Sequence, residues 1–202
     1  MNRAAPAKQP RKQQSHERIV AAAARAIRRH GYAGVGVAEV MKEAGLTHGG
    51  FYAHFASRDA LLAEAIAHAG RENAAHFERR VAERAVGGKT PLRALLEGYL
   101  SPEHLQPPEG GCVVAALCSE MPRQADPAVR AASAERIATL VERVRNALPP
   151  GPHAAARAAL VASAMVGALQ LARGLADERE ARALLKSVRE SLLAQHDVPA
   201  GR

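Results

Sequence analysis

The 202-residue chain has no tryptophan, only three phenylalanines and three tyrosines, and two cysteines. With aromatics at 3 %, a core must be built from Ala, Leu, Val and Ile. Two cysteines cannot make a disulfide framework, and no signal-peptide pattern opens the chain, so a reducing cytosol is the expected compartment. The longest uncharged apolar run, Ala158 to Ala172, has 15 residues between Arg157 and Arg173. A membrane span needs ~20, so a buried helix is expected there instead. No stretch alternates β-branched residues with period two, which excludes a sheet, and nothing repeats at a fixed period.

Catalytic patterns are equally scarce. Gly87-Gly88-Lys89-Thr90 ends like a phosphate-binding loop, but the required first glycine falls at Glu83 and no strand precedes it. His16-Glu17 lacks a second histidine at Val20, and the remaining histidines have no metal-ligand spacing. No Gly-x-Ser-x-Gly occurs, and no pair of acidic residues stands out as an acid–base couple. Neither catalysis, nor a cofactor, nor a metal is expected.

What is present is basic charge, unevenly placed. The net charge is +8, and residues 1–60 hold ten Lys/Arg against four Asp/Glu. Four of the six aromatics, Tyr32, Phe51, Tyr52 and Phe55, lie in the same stretch. A basic, aromatic-containing end suggests an anionic partner, and the nearly balanced remainder a different task. At 48 % apolar and 24 % charged residues, the chain is expected to fold around a sizeable core.

Helical periodicity runs throughout, and an all-α chain of about nine helices is expected. Residues 1–14 read as a basic arm, either a solvated tail or an electrostatic contact. Ser15 is placed to cap a first helix to His30, with Ile19, Ala23, Ala26 and Ile27 on one face. Gly31 ends it. A second helix fits Val37 to Ala44, Gly45 provides the turn, and Thr47 is placed to cap a third helix through Phe55. Ser57 caps a long fourth helix that stops at Gly87-Gly88. Thr90-Pro91 and Asp126-Pro127 are cap–proline starts. Residues 101–111 read as loop, followed by helices over 112–121 and 127–148, a turn at Pro149-Pro150-Gly151-Pro152, an apolar helix from there to Leu175, and a last helix over 178–195.

Two short helices joined by a glycine turn fit a helix-turn-helix, whose second helix enters a major groove about 12 Å wide. A merely structural helical hairpin has the same apolar spacing. The residues through this region are more specific. Ile19, Ala22-Ala23, Gly31-Tyr32, Val37 to Val40, Ala44-Gly45-Leu46-Thr47, Gly49, Phe51-Tyr52, His54-Phe55 and Ser57-Arg58-Asp59-Ala60-Leu61 resemble the TetR/AcrR family of bacterial transcriptional regulators. The close match covers residues 18–62.

The resemblance implies a DNA-binding domain over 15–60 and an effector-binding and dimerisation domain over 61–197. It implies a regulator, most simply a repressor, that binds a palindromic operator on double-stranded DNA as a homodimer and is released by a small-molecule or thiol-reactive effector. Thr47, His48, Gly49, Gly50, Tyr52, His54 and Arg58 would face DNA. Of these, Thr47, Tyr52, His54 and Arg58 would hold phosphates, and His48 would reach base edges or backbone. Phe51 and Phe55 read as core, and Tyr32 as packing. Val35 and Gly36 stand where the family usually has Thr or Ser, which removes a side-chain cap, and Gly50 departs from the usual Thr, Ser or Ala. A non-specific DNA-compacting protein and, less simply, a small helical enzyme remain as alternatives.

In the second half, small residues alternate with large ones between Leu160 and Leu175, and Ala183, Leu184, Val188, Leu192 and Leu193 follow. Residues 152–195 are therefore expected to pair with a second copy, although a monomeric core has the same composition. Leu96, Tyr99, Leu117 and Val141 are candidates to line an apolar effector pocket with few fixed charges, each of them also readable as ordinary core. Cys112, after Gly110-Gly111 at an expected helix start, is a candidate sensor thiol or a packed one. Cys118 reads as packing.

Overall fold

The computed structural model describes residues 11–85, 88–105, 109 and 111–197, and no strand occurs among them. The arm through Pro10 and Gly87 of the expected stop lie outside the described residues.

Helix α1 spans Arg11–His30 and buries Ile19, Val20, Ala22, Ala23, Ala24 and Ile27. It starts four residues before the expected cap, so residues 11–14 of the expected arm are helical and Ser15 is an interior position. Helix α2, Val37–Glu43, follows, then a 3-10 helix, His48–Ala53, in place of the expected α-helix. Two consecutive glycines, Gly49 and Gly50, lie inside it, each costing about 1 kcal/mol relative to alanine in a helix interior. Helix α3, Arg58–Ala85, crosses the expected boundary between residues 60 and 61 without a break. Its first turns bury Leu61 and Leu62 beside Phe51 and Phe55, whose stacked rings lie 5.6 Å apart.

Helix α4, Pro91–Tyr99, and α7, Pro127–Ala147, start as expected. Thr90 accepts a bond from the Arg93 amide, and Asp126 accepts from the amides of Ala128 and Val129. The stretch read as loop contains a single helical turn, α5, Pro102–Leu105. It uses the same signal, for Ser101 precedes Pro102 and its hydroxyl accepts from the His104 amide at 3.3 Å. Helix α6, Val113–Leu117, is half the expected length, and a 3-10 turn, Met121–Arg123, ends that segment. Helices α8, Ala154–Gly174, and α9, Glu178–His196, complete the chain.

The chain forms one continuous core, with α3 as its axis: α1 packs on its first half, α7 along its length and α4 beside it, while α8 lies against α7 and α9. Helix α8 departs from the expectation of burial. By length and composition it could cross a membrane, with a mean hydropathy of 1.5 over an 18-residue window, of which only 33 % is buried. Its polar side chains hold it to the protein. Gln170 donates to the Ala115 carbonyl, Arg173 to the His104 carbonyl at 2.9 Å, and Arg157 to the Pro149 carbonyl.

Candidate nucleic-acid interface and effector region

The turn between α2 and the 3-10 helix is closed by local chemistry. Gly45 has φ +68°, where a side chain is strained. The Gly45 and Leu46 amides donate to the carbonyls of Lys42 and Met41, ending α2. The Arg18 guanidinium of α1 lies over Gly45 and donates to the Ala44 carbonyl. Gly36 precedes α2 without a side-chain cap, as its lack of a hydroxyl implied. Instead the Glu39 carboxylate folds back over it, so close that a Cβ on Gly36 would stand 1.9 Å from Oε2.

The sequence-selected residues fall on two levels. Thr47, His48, Gly49 and Tyr52 are exposed along one side of the 3-10 helix, with Tyr52 77 % exposed. Such an aromatic, beside a buried Phe51 it meets edge-on at 5.2 Å, serves no packing need of this chain. Thr47 stands at the N-cap position but makes no side-chain cap bond. Gly50 and His54 are half-buried. His54 lies beside His16, 6.0 Å between ring centres, and His16 stacks on Phe55 and binds Glu64 at 2.7 Å. Burial first, and then the charges of His16 and Lys12, lower the His54 pKa below the ordinary imidazole value.

Arg58 has a different placement from the expected phosphate partner. Its Nε donates to the Val35 carbonyl at 3.0 Å and its Nη2 to the Tyr32 carbonyl, with Nη1 3.9 Å from Asp59. It therefore staples the loop before α2 to the start of α3, while its side chain remains 38 % exposed. Sequence reasoning missed Lys12 and Gln13. With His16, Ala53 and His54 they line an open groove of about 360 Å³ beside the 3-10 helix. The signal was available in the basic run Arg11-Lys12, had it been read as helix rather than arm.

This domain is tied to the rest of the chain at the end of α1. Gly31 has φ +69°, and the carboxylate of Glu120 sits against it, accepting from the Tyr32 amide at 3.0 Å. Buried Tyr32 reaches α7 through its hydroxyl, 3.0 Å from Ser133. Because Ser133 gives its own hydrogen to the Val129 carbonyl, Tyr32 is the donor. Burial raises the Tyr32 phenol pKa, with the Ser133 bond opposing it. Arg28, also buried, pairs with Glu72 of α3 at 3.1 Å, and Arg29 pairs with Glu109.

The expected effector residues Leu96, Tyr99 and Leu117 are fully packed in the core, while Val141 is half-buried. Ile137, on the same helix as Val141, faces outward. Cys112 is 5 % exposed and stands just before α6. That helix has five residues, so its dipole is slight compared with the ten-residue helix expected there. The Cys112 amide donates to His104 Nε2 at 2.9 Å, so His104 carries its proton on Nδ1, which gives it to the Tyr99 carbonyl. The Tyr99 phenol is raised well above its usual pKa by burial and by the Cys112 thiol bonded to it. Cys118 is half-buried, with Gln170 3.7 Å from its sulfur. No group of three or more His, Cys, Asp or Glu is placed to hold a metal among the described residues.

On α8, Leu160, Ala164, Gly167 and Leu171 follow one another at three- and four-residue steps along one face. Leu160 is 58 % and Leu171 66 % exposed, and nothing lies within 4 Å of where a Cβ of Gly167 would be. Ala183 of α9 is exposed beside half-buried Leu184 and Val188.

Residues 19–65 match the family model for bacterial regulatory proteins, tetR family. The chain is 29 % identical over 189 residues to an uncharacterized HTH-type transcriptional regulator found in two strains of Mycobacterium tuberculosis, covering 89 % of this chain and 94 % of that one. Among solved structures it is similar to the reduced form of Escherichia coli NemR, at 18 % identity and a TM-score of 0.73, covering 93 % of this chain and 99 % of that one. It is also similar to a TetR-family transcriptional regulator from Cytophaga hutchinsonii, at 16 % identity and a TM-score of 0.76, covering 96 % and 100 %.

Proposed function

We propose that the chain, whose residues 19–65 match the model for bacterial regulatory proteins of the tetR family, is a ligand-responsive, DNA-binding transcriptional repressor that acts as a homodimer on a palindromic operator. The observation that carries this is the exposed row Thr47, His48 and Tyr52 on a short helix whose opposite side, Phe51, is fixed in the core. Phosphates flanking the groove are held by Thr47, Tyr52 and His54, with Lys12 and Gln13 added from α1. His48 reads base edges, and Gly49 and Gly50 let the backbone approach closely. Arg58 contributes mainly by fixing the loop before α2.

One six-residue helix reads too few bases alone, so two copies are required, with recognition helices one helical turn of DNA, roughly 34–36 Å, apart. The unpartnered apolar face of α8 and its neighbours on α9 supports pairing through residues 152–195, and argues that α8 meets a second copy rather than lipid. A cytoplasmic location follows from a duplex partner. The effector, a small or thiol-reactive molecule, favours a dimer whose recognition helices no longer match successive grooves. Glu120, Tyr32 and Ser133 are the contacts through which movement of α6 and α7 reaches α1.

Selection of bound sites from a random duplex library tests the reading. A two-fold repeated motif is expected, bound in preference to random duplex in competition. Equal affinity for every duplex establishes a DNA-compacting protein instead.

A further inference from the structure

Between α3, α7 and the start of α6 lies a gap, open to solvent, whose free inner space of about 20 Å³ holds no more than one water. Its polar lining carries no negative charge by residue type: Arg136 and Arg143, two turns apart on one face of α7, with Thr139 between them, Asn73 of α3 and the Cys112 thiol. Val114 and Leu140 supply an apolar wall, and no Asp or Glu is among its described lining residues. Arg136 is the unusual member. Its side chain is only 11 % exposed, and its Nε is buried without a hydrogen-bond partner. Its terminal nitrogen meets Glu135, a carboxylate that is itself mostly in water. A buried donor left unsatisfied is costly, and in native proteins calls for a partner. The stem of Arg136 runs across Gly70 of α3, where a Cβ would stand 2.3 Å from its Cδ. Glycine at 70 is what lets the guanidinium lie in the gap.

We infer that this gap is the head-group site of the effector, and that the effector is a small monocarboxylate with a short apolar body. This rests on the regulator reading and replaces the expectation of a pocket with few fixed charges. A planar carboxylate matches the fork of a guanidinium, and a single negative charge is the smallest that answers the unpaired Nε. The apolar body lies over Val114 and Leu140 at the mouth. The site is well placed to act on DNA binding, since Gly70 lies twelve residues, about 18 Å, along α3 from Arg58 and its bonds to the loop before α2.

Calorimetric titration of the full-length protein with benzoate, butyrate and the neutral isostere benzamide tests the assignment. A carboxylate is expected to bind, benzamide about ten-fold or more weakly, and Arg136→Gln to lose the difference. Gly70→Ala, which keeps the arginine but displaces it, is expected to weaken carboxylate binding as well. Both variants should melt cooperatively without ligand. Failure of both carboxylates to bind, equal binding of benzamide, or undiminished binding by Arg136→Gln overturns the proposal. Adding benzoate or butyrate to the protein on its selected duplex separates the two readings. Release of the duplex supports the effector site. Retention by a protein that binds the carboxylate overturns the effector role alone. An empty duplex selection sinks the regulator reading, whatever the titration shows.

Discussion

Leu160 and Leu171 present the largest apolar surfaces on the outer face of α8, at 58 % and 66 % exposure. Fully burying a leucine is worth about 1.5–3 kcal/mol, so covering the exposed three-fifths of each yields roughly 1–2 kcal/mol. A two-fold dimer buries four such side chains. Truncating them leaves each Cβ in place, so Leu160→Ala/Leu171→Ala is expected to weaken dimerisation by about 3–6 kcal/mol. That corresponds to roughly a hundred- to ten-thousand-fold in the dissociation constant. Neither side chain supports the protomer core, and alanine is the better helix former, so the monomer should keep its helicity. Sedimentation velocity across a dilution series reads the constant, and circular dichroism checks the fold. A wild-type protein that stays monomeric where it binds duplex, or a double variant that dimerises as tightly, refutes the reasoning.

Gly31→Ala places a methyl in a left-handed conformation and 2.4 Å from Glu120 Oε1, so a loss of about 1–3 kcal/mol is expected in thermal unfolding. Gly49→Ala meets nothing within 4 Å, and a gain of about 0.4–1 kcal/mol is expected from the less flexible unfolded chain; a lower melting temperature contradicts the open geometry. The lowered His54 pKa means that the folded protein holds its proton less tightly than the unfolded chain. Its stability contribution is therefore complete above the unfolded value near 6.5, and is lost as pH falls through the lower folded one. A phosphate beside His54 reverses the shift, so duplex affinity should rise as pH falls through this range, and His54→Gln should flatten the profile in a fluorescence-anisotropy titration. An unchanged profile removes His54 from the interface.

The parts of this fold that were legible in the sequence share one property: their signal is local. Ile19, Ala23 and Ile27 repeat at helical spacing and are buried together, and Thr90-Pro91 and Asp126-Pro127 start the helices they announce. The same chemistry at Ser101-Pro102 went unread because a proline-rich stretch resembles a loop over ten residues and a helix over four. The contacts that join the first helices to the rest are illegible for a different reason. Glu120 meets the Tyr32 amide 88 positions away, and Tyr32 meets Ser133 at a separation of 101. Apolar faces announce themselves by period, whereas a charged side chain on an exposed-looking turn has the same appearance whether its partner is water or a distant amide. Arg58 illustrates the consequence, since nothing in its local sequence announces the two carbonyls of its own chain, Val35 and Tyr32, that it also binds. Glycine is where such long-range contacts leave a mark. Gly70 interrupts a 28-residue helix, where alanine is favoured by about 1 kcal/mol. What crosses it is the stem of Arg136, which leaves no room for a Cβ. A glycine inside a strong helical pattern is thus the sequence-level pointer to a close crossing, and here it leads to the buried guanidinium.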